Sequence, residues 1–242
     1  MVDEGADVID VGGESTRPGA APVPEDLEMK RVLPVIERTR SRISIPISID
    51  TTKARVAWAA LEAGADIVND VTALRGDPAM ASVVSEASVP VILMHMSGTP
   101  QTMQLSPRYK NVIEEVKGFL WERMGAAEKA GISRSRMVVD PGIGFGKNLD
   151  HNLELLKGLK RLTDLGVPLM VGLSRKSFLG AVLAAEVGDR LEGTLGAVVY
   201  AMLNGASLIR VHDVKAVKRA VRVVEAILGA GAMAEDGGFP DA

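Results

Sequence analysis

Short apolar runs along this chain stop abruptly at polar clusters, and they do so seven times. Val8-Ile9-Asp10-Val11 runs into Gly12-Gly13-Glu14-Ser15-Thr16-Arg17, and Ile45-Pro46-Ile47-Ser48-Ile49 ends at Asp50-Thr51. Ile67-Val68 ends at Asn69-Asp70, Val91-Ile92-Leu93-Met94 at His95, and Met137-Val138-Val139 at Asp140-Pro141-Gly142. Leu169-Met170-Val171-Gly172 ends at Ser174-Arg175-Lys176, and Leu208-Ile209 ends at Arg210-Val211-His212-Asp213. Helix-like stretches lie between most of the runs. Short buried runs alternating with helices predict a parallel sheet in an α/β fold. If the sheet closes into a barrel, the polar clusters share one rim, and that rim is where such barrels carry their active sites.

The spacing predicts helices over 25–41, 53–63, 109–130, 149–164, 190–204 and 214–228. In 109–130, Val112, Val116, Phe119 and Leu120 recur at helical spacing and define one buried face. Thr51-Thr52 offers an N-cap for 53–63, and Gly64 a C-terminal stop. A weak repeat runs through Gly5-Ala6-Asp7-Val8-Ile9, Gly64-Ala65-Asp66-Ile67-Val68 and Gly205-Ala206-Ser207-Leu208-Ile209, each a glycine closing a helix before a strand. The expected architecture is a (β/α)8 barrel with about seven strands present, forming one domain over 1–228. The segment 229–242 is expected to be a flexible tail. A closed barrel has eight strands, so a first strand and most of its helix are expected upstream of Met1. The strands at 8–11 and 207–211 would then each keep an open edge. The loop from Gly12 to Pro24, rich in Gly, Ser and Pro, suits a structured but mobile active-site loop.

The chain's 242 residues match the size of one such barrel. Only 3% are aromatic, so the core should be aliphatic. No apolar run approaches the ~20 residues of a membrane span, and no signal peptide is visible, so the expected location is cytoplasmic. With no cysteine, disulfides, thiolate zinc sites and cysteine nucleophiles are excluded. A net charge of −3 argues against a broad nucleic-acid or anionic-membrane surface but leaves room for a local anion site.

The rim supplies such a site. Arg17, Lys176, Arg210 and His212 can converge on an anionic group, with arginine forks matching phosphate oxygens. Asp50, Asn69 and Asp140 suit a ring bearing several N–H donors, because carboxylates and an amide oxygen accept its protons directionally. Duller readings stand beside these. Asp10 reads as a structural carboxylate bonded to backbone or to Asn69. His95 reads as a satisfied core histidine and His151 as solvated surface, while Arg175 faces a helix. The run Gly142-Ile143-Gly144-Phe145-Gly146-Lys147 lacks the spacing of a Walker phosphate loop, and Asn148 stands where Ser or Thr is needed.

At these residues the chain resembles the dihydropteroate synthase family. Asp10-Val11-Gly12-Gly13-Glu14-Ser15-Thr16-Arg17-Pro18-Gly19 looks like its second-loop signature. Ser48-Ile49-Asp50-Thr51, Asn69-Asp70-Val71, Leu93-Met94-His95-Met96, Asp140 to Lys147, Ser174-Arg175-Lys176-Ser177 and Arg210-Val211-His212-Asp213 follow in order as its later motifs. The resemblance spans residues 1 to about 228. It implies a TIM barrel, a homodimer, that joins p-aminobenzoate to a dihydropterin methyl diphosphate and releases diphosphate, with Mg²⁺ as cofactor. It implies catalytic roles for Asp50, Lys176, Arg210 and His212. Asp50, Asn69, Asp140, Lys176, Met94, Phe145 and Gly172 would hold the pterin. Thr16, Arg210 and His212 would hold the diphosphate. Arg17, Pro18, Phe145, Ser174 and Lys176 would surround the aminobenzoate, the site that sulfonamides occupy. In the family an asparagine ending the first strand helps hold Mg²⁺, and that residue would lie upstream of Met1. The helices over 190–204 and 214–228 would form the dimer surface.

Two other readings remain open on sequence. One is a pterin-binding homologue without catalysis. The other is a methyltetrahydrofolate-dependent corrinoid methyltransferase, which shares the pterin-reading Asp and Asn. That enzyme has no diphosphate to bind, so Ser174-Arg175-Lys176-Ser177 and Arg210-Val211-His212-Asp213 count against it.

Overall fold

The structure, a computed structural model, describes residues 1–229. Seven parallel strands alternate with helices in chain order: β1 (Ile9–Gly12), α1 (Glu25–Arg40), β2 (Ile47–Asp50), α2 (Ala54–Glu62), β3 (Ile67–Asp70), α3 (Met80–Ala87), β4 (Val91–Met94) and α4 (Val112–Lys129). Then come β5 (Met137–Asp140), α5 (Leu149–Lys157), β6 (Met170–Gly172), α6 (Ser177–Leu183), α7 (Leu191–Leu203), β7 (Leu208–Arg210) and α8 (Val214–Leu228). Strands β1 to β5 pair in sequence, a bridge from Val139 to Leu169 carries the sheet on, and β6 pairs with β7. Successive strands pairing in order and in parallel, with a helix after each, is the barrel winding that the apolar rhythm predicts.

The register explains the rim. Gly12 lies opposite Asp50, Asp50 opposite Asn69, Met94 opposite Asp140 and Gly172 opposite Arg210. Each strand thus ends its apolar run at nearly the same height, and the polar residues collect at one end. One contiguous aliphatic core lies beneath, including the fully buried Ile47, Ile49, Leu93, Met137 and Leu155. Helix α4 buries Val112, Val116, Leu120, Met124 and Ala127, the predicted stripe with Phe119 at its margin. Its Asn111 cap accepts from the Glu114 N–H.

The strand edges at β1 and β7 carry no pairing with each other among the described residues. Side chains span the opening instead: Lys218 of α8 binds Asp7 at 2.7 Å, and Arg210 binds Asp10 at 2.6 Å.

Three local expectations need correction. The predicted helix over 149–164 stops at Lys157, and Leu159–Leu165 continues as a 3-10 helix. The break falls at Gly158, where Ile113 of α4 approaches so closely that a Cβ would overlap its Cδ1. Helix α2 is capped at Lys53, not at Thr51-Thr52; the Asp77 carboxylate accepts from the Ala54 N–H at 2.9 Å. Helix α3 was not foreseen, since only Met80 and Val84 of it are buried. The tail expected over 229–242 lies, but for Gly229, outside the described residues.

Candidate active site

At the barrel mouth, β2 and β5 end in Asp50 and Asp140, and Asn69 is the last residue but one of β3; all three are buried. Arg210, at the end of β7, reaches across the opening. Its Nε donates to Asp10 at 2.6 Å and its Nη2 to Asp50 at 3.3 Å. Asp10 also accepts from the Ser48 hydroxyl and from the Asn69 amide at 3.4 Å. The network therefore ties together the ends of β1, β2, β3 and β7. Burial and the neighbouring Asp10 charge push the Asp50 carboxyl well above the usual carboxylate range, with the Arg210 guanidinium opposing the rise. Burial likewise raises Asp140, against the pull of Lys176. Asp140 accepts from the Gly142 N–H at 2.7 Å, which fixes the turn that follows it.

Lys176 comes from the turn between β6 and α6. It donates to the Ile143 carbonyl, and its ammonium lies 4.8 Å from the centre of the Phe145 ring. Burial lowers its pKa to about 8. Gly172 backs this space: a Cβ there would stand 3.6 Å from Lys176 Nζ and 3.9 Å from Arg210 Cβ, so a larger side chain would fill the gap between them. Met94, Met96, Val71 and Met103 pack with Phe145 into an apolar patch separate from the main core. A flat ring lying against that patch would present its edge to Asp50, Asn69 and Asp140.

The outer rim is more polar. Ser174 Oγ accepts from the His212 N–H at 3.2 Å and lies 3.1 Å from its Nδ1. Burial, then the charges of Arg210 and Arg175, lower the His212 pKa. A neutral His212 therefore faces Ser174 through Nδ1, and among the described residues its other ring nitrogen has no side-chain partner. Arg175 adopts a left-handed conformation (φ 59°) and turns away to bind Asp213 through two nitrogens, as the helix-facing reading expects. Thr16 is half-buried, whereas Arg17 and Pro18 are exposed. Their loop meets the segment after β4, where Gly19 N–H donates to the Pro100 carbonyl and Gln101 to the Ala20 carbonyl, both at 2.9 Å. Of the four expected cations, Arg210, His212 and Arg17 share the outer rim, while Lys176 is committed deeper, at Ile143 and Phe145.

Sequence reasoning passed over Lys147. Its ammonium is 2% exposed and lies 2.9 Å from His95 Nδ1, 3.0 Å from the Gly142 carbonyl and 2.9 Å from the Phe145 carbonyl. His95 is indeed a satisfied core histidine, held neutral by burial and by the Lys147 charge. The available signal was a lysine closing a run in which Gly142, Gly144 and Gly146 all take positive φ, a loop wrapped around something.

Burial lowers the Lys147 pKa from 10.5 to about 7. A depressed lysine means that the unfolded chain holds more protons between those two values, so this residue's contribution favours folding increasingly as pH rises through that window. Its penalty is complete below about pH 7. The unfolding free energy of the wild type minus that of Lys147→Met should therefore rise with pH, by about 1 kcal/mol per unit from about pH 7.5 to 9.5. Urea titrations at several pH values read this, and a pH-independent difference would refute the depressed lysine.

The family described as pterin binding enzyme matches residues 1–212. The chain is 46% identical over 230 residues to the dihydropteroate synthase of Escherichia coli K12, covering 95% of this chain and 81% of that one. The chain belongs to the dihydropteroate synthase family. Among solved structures, the Xanthomonas albilineans dihydropteroate synthase with 4-aminobenzoic acid superposes with a TM-score of 0.89 at 47% identity, covering 94% of this chain and 81% of that one. The Yersinia pestis dihydropteroate synthase in a sulfonamide drug complex gives 0.92 at 42%, covering 95% and 83%. The fold is accordingly that of a TIM-barrel dihydropteroate synthase, as the alternating pattern and the motifs together imply.

Proposed function

We propose that this chain, as a folate-pathway transferase of its family, condenses 6-hydroxymethyl-7,8-dihydropterin diphosphate with p-aminobenzoate to give 7,8-dihydropteroate and diphosphate. One observation carries the reading. Acceptors suited to an N–H-rich ring (Asp50, Asn69, Asp140) sit in the same mouth as a guanidinium, Arg210, placed to meet an anion. A pterin read by those acceptors would lie on the Met94 and Phe145 patch with Lys176 beside it. Its methyl diphosphate would point outward to Arg210, His212 and Thr16. The aminobenzoate would enter between Ser174, Phe145, Lys176 and the Arg17-Pro18 loop.

Little covalent work then falls to the protein. The bond between the exocyclic methylene and the diphosphate oxygen breaks, and its electron pair leaves with the oxygen, whose charge Arg210 and His212 meet. The methylene left behind is electron-poor, and the positive charge it shares with the ring would in turn favour the ionised form of Asp50, whose pKa burial has raised. The amine lone pair of aminobenzoate forms the new C–N bond, and the nitrogen then loses a proton to water or to diphosphate. No strong base has to act before attack, so catalysis rests on holding two reactants in line and meeting charge. Among the described residues no group of three His, Asp or Glu side chains is placed to hold a metal ion. Magnesium usually takes only one or two protein oxygens with waters and substrate phosphates, so Mg²⁺ in this reaction would be held largely by the diphosphate itself.

The remaining assignments follow from this reading. The single core supports one domain through residue 228, and no described helix is long and apolar enough to cross a membrane. A cytoplasmic location suits a folate-pathway enzyme without cysteines. A homodimer through α7 and α8 is supported by the exposed Tyr200, Leu203, Val223 and Ile227, and the sedimentation mass of the wild-type chain tests it.

The deciding assay is diphosphate release by this chain with Mg²⁺ and the pterin diphosphate, with and without p-aminobenzoate. Release that requires aminobenzoate and is blocked by a sulfonamide is expected. Release indifferent to aminobenzoate, or none, would reject the reading. In calorimetry, Asp50→Ala, Asn69→Ala and Lys176→Ala should each weaken pterin binding by about tenfold to a hundredfold, the worth of a hydrogen bond to a charged group. Unchanged affinity in all three would remove the pocket assignment.

A further inference from the structure

The loop after β1 is fastened at its neck by a partly buried ion cluster that the synthase chemistry does not use. Glu14 Oε2, at the loop's start, accepts from the Val23 N–H at the loop's end and from Lys53 Nζ at 2.8 Å. Lys53 also donates to Glu28 of α1, whose side chain is fully buried. The other oxygen of Glu28 has no hydrogen-bond partner, so its charge leans on Lys53. The backbone of the neck is pressed close as well. Arg31 donates to the Gly13 carbonyl at 2.8 Å, and a Cβ on Gly13 would stand 2.8 Å from Glu28 Cγ and 2.9 Å from Val32 Cγ1. Lys53 itself caps α2, immediately beyond the polar end of β2. One carboxylate, Glu14, thus joins both ends of the segment 15–22 and bolts them, through Lys53, to α1 and to the end of the strand that bears Asp50.

From this geometry we infer that Glu14 and Lys53 are positioning residues for the aminobenzoate loop: they close the neck of segment 15–22 so that Thr16, Arg17 and Pro18 are presented to the mouth. The inference rests on the proposed substrates for those three residues. An uncinched loop has to be ordered at each binding event, and backbone ordering costs about 1–2 kcal/mol per residue fixed. The clamp spends that ordering during folding. Asp50, Asn69 and Asp140 lie on strand ends and do not depend on it.

The variant to make is Glu14→Ala, which leaves Lys53 paired with Glu28 and so strands no buried charge. Glu14→Gln is its conservative partner, because the amide oxygen can still accept from Val23. In steady-state assays Glu14→Ala should raise the KM for p-aminobenzoate about tenfold, the equivalent of ordering one residue. The KM for the pterin diphosphate, which only Thr16 of the loop would touch, should rise clearly less, by about twofold to threefold, and Glu14→Gln should recover most of both losses. Equal rises in both KM values, or a fall in kcat alone, would overturn the positioning role. Amide hydrogen exchange on the unliganded chain gives a reading independent of turnover. Val23 and residues 15–22 should exchange faster in Glu14→Ala, and unchanged protection would overturn the clamp. If exchange quickens while the wild-type chain releases no diphosphate, the clamp stands and the substrate assignment falls.

Discussion

Arg210→Ala is expected to lower the kcat/KM of diphosphate release by about a hundredfold to a thousandfold, or about 3–4 kcal/mol, the range seen when one donor to the charge developing in a transition state is removed. The size follows from what the guanidinium holds. It donates at 2.6 Å to Asp10 and at 3.3 Å to Asp50, two carboxylates on adjacent strands. Removing it subtracts the cation that meets the leaving diphosphate. It also leaves Asp10 and Asp50 facing each other, and Asp10 is already the main charge raising the Asp50 pKa. Without the guanidinium nothing opposes that rise, so Asp50 is driven to its protonated form and the mouth loses both its cation and a charged acceptor. Arg210→Lys should restore only part of the rate, since an ammonium cannot reach two carboxylates and a phosphate with a planar fork. Steady-state release assays on both variants decide it. A loss below about fivefold in Arg210→Ala would show that the diphosphate is met elsewhere on the rim.

Much of this site was readable before any coordinates, and the reason is local. A strand that ends in a buried carboxylate or amide announces itself by the break from Ile49 to Asp50, Val68 to Asn69 and Val139 to Asp140. Parallel register then puts such breaks side by side without further information. What escaped were contacts whose partners lie far apart along the chain. Asp10 and Arg210 meet across 200 positions, and the pairing that locks the mouth leaves no local trace. Lys147 looked like part of a failed phosphate loop because its three partners appear only once the glycine turn wraps back onto His95. The clamp at Glu14 leaves no local trace for the same reason, since Lys53 lies 39 positions from Glu14 and 25 from Glu28. In the fold, the split of 149–164 falls at Gly158, whose close approach to Ile113 on another helix has no signature in the local sequence.

Gly142→Ala should destabilise the fold by about 3–5 kcal/mol, combining the strain of a left-handed non-glycine residue with an overpacked contact. Gly142 has φ +66°, and a Cβ there would fall inside the van der Waals envelope of the His95 carbonyl oxygen and 3.4 Å from Met94 Cγ. Neither neighbour can yield cheaply. The His95 N–H donates to the Asp140 carbonyl at 2.9 Å, so its backbone is locked into the β4–β5 ladder, and Met94 is buried. The turn would have to move, which breaks the bond from the Gly142 N–H to Asp140 and loosens the carbonyls that hold Lys147. For a chain of this size the loss corresponds to a fall in Tm of roughly 10 °C. Gly166→Ala separates the two causes. Gly166 has φ +73° but nothing within 4 Å of a new Cβ, so only the backbone strain, about 1 kcal/mol, applies. Thermal unfolding of the two variants side by side should show Gly142→Ala shifted at least twice as far. Equal shifts would mean that the turn relaxes freely, and that the β4 and β5 ends are not the rigid floor on which Asp140 and Lys176 depend.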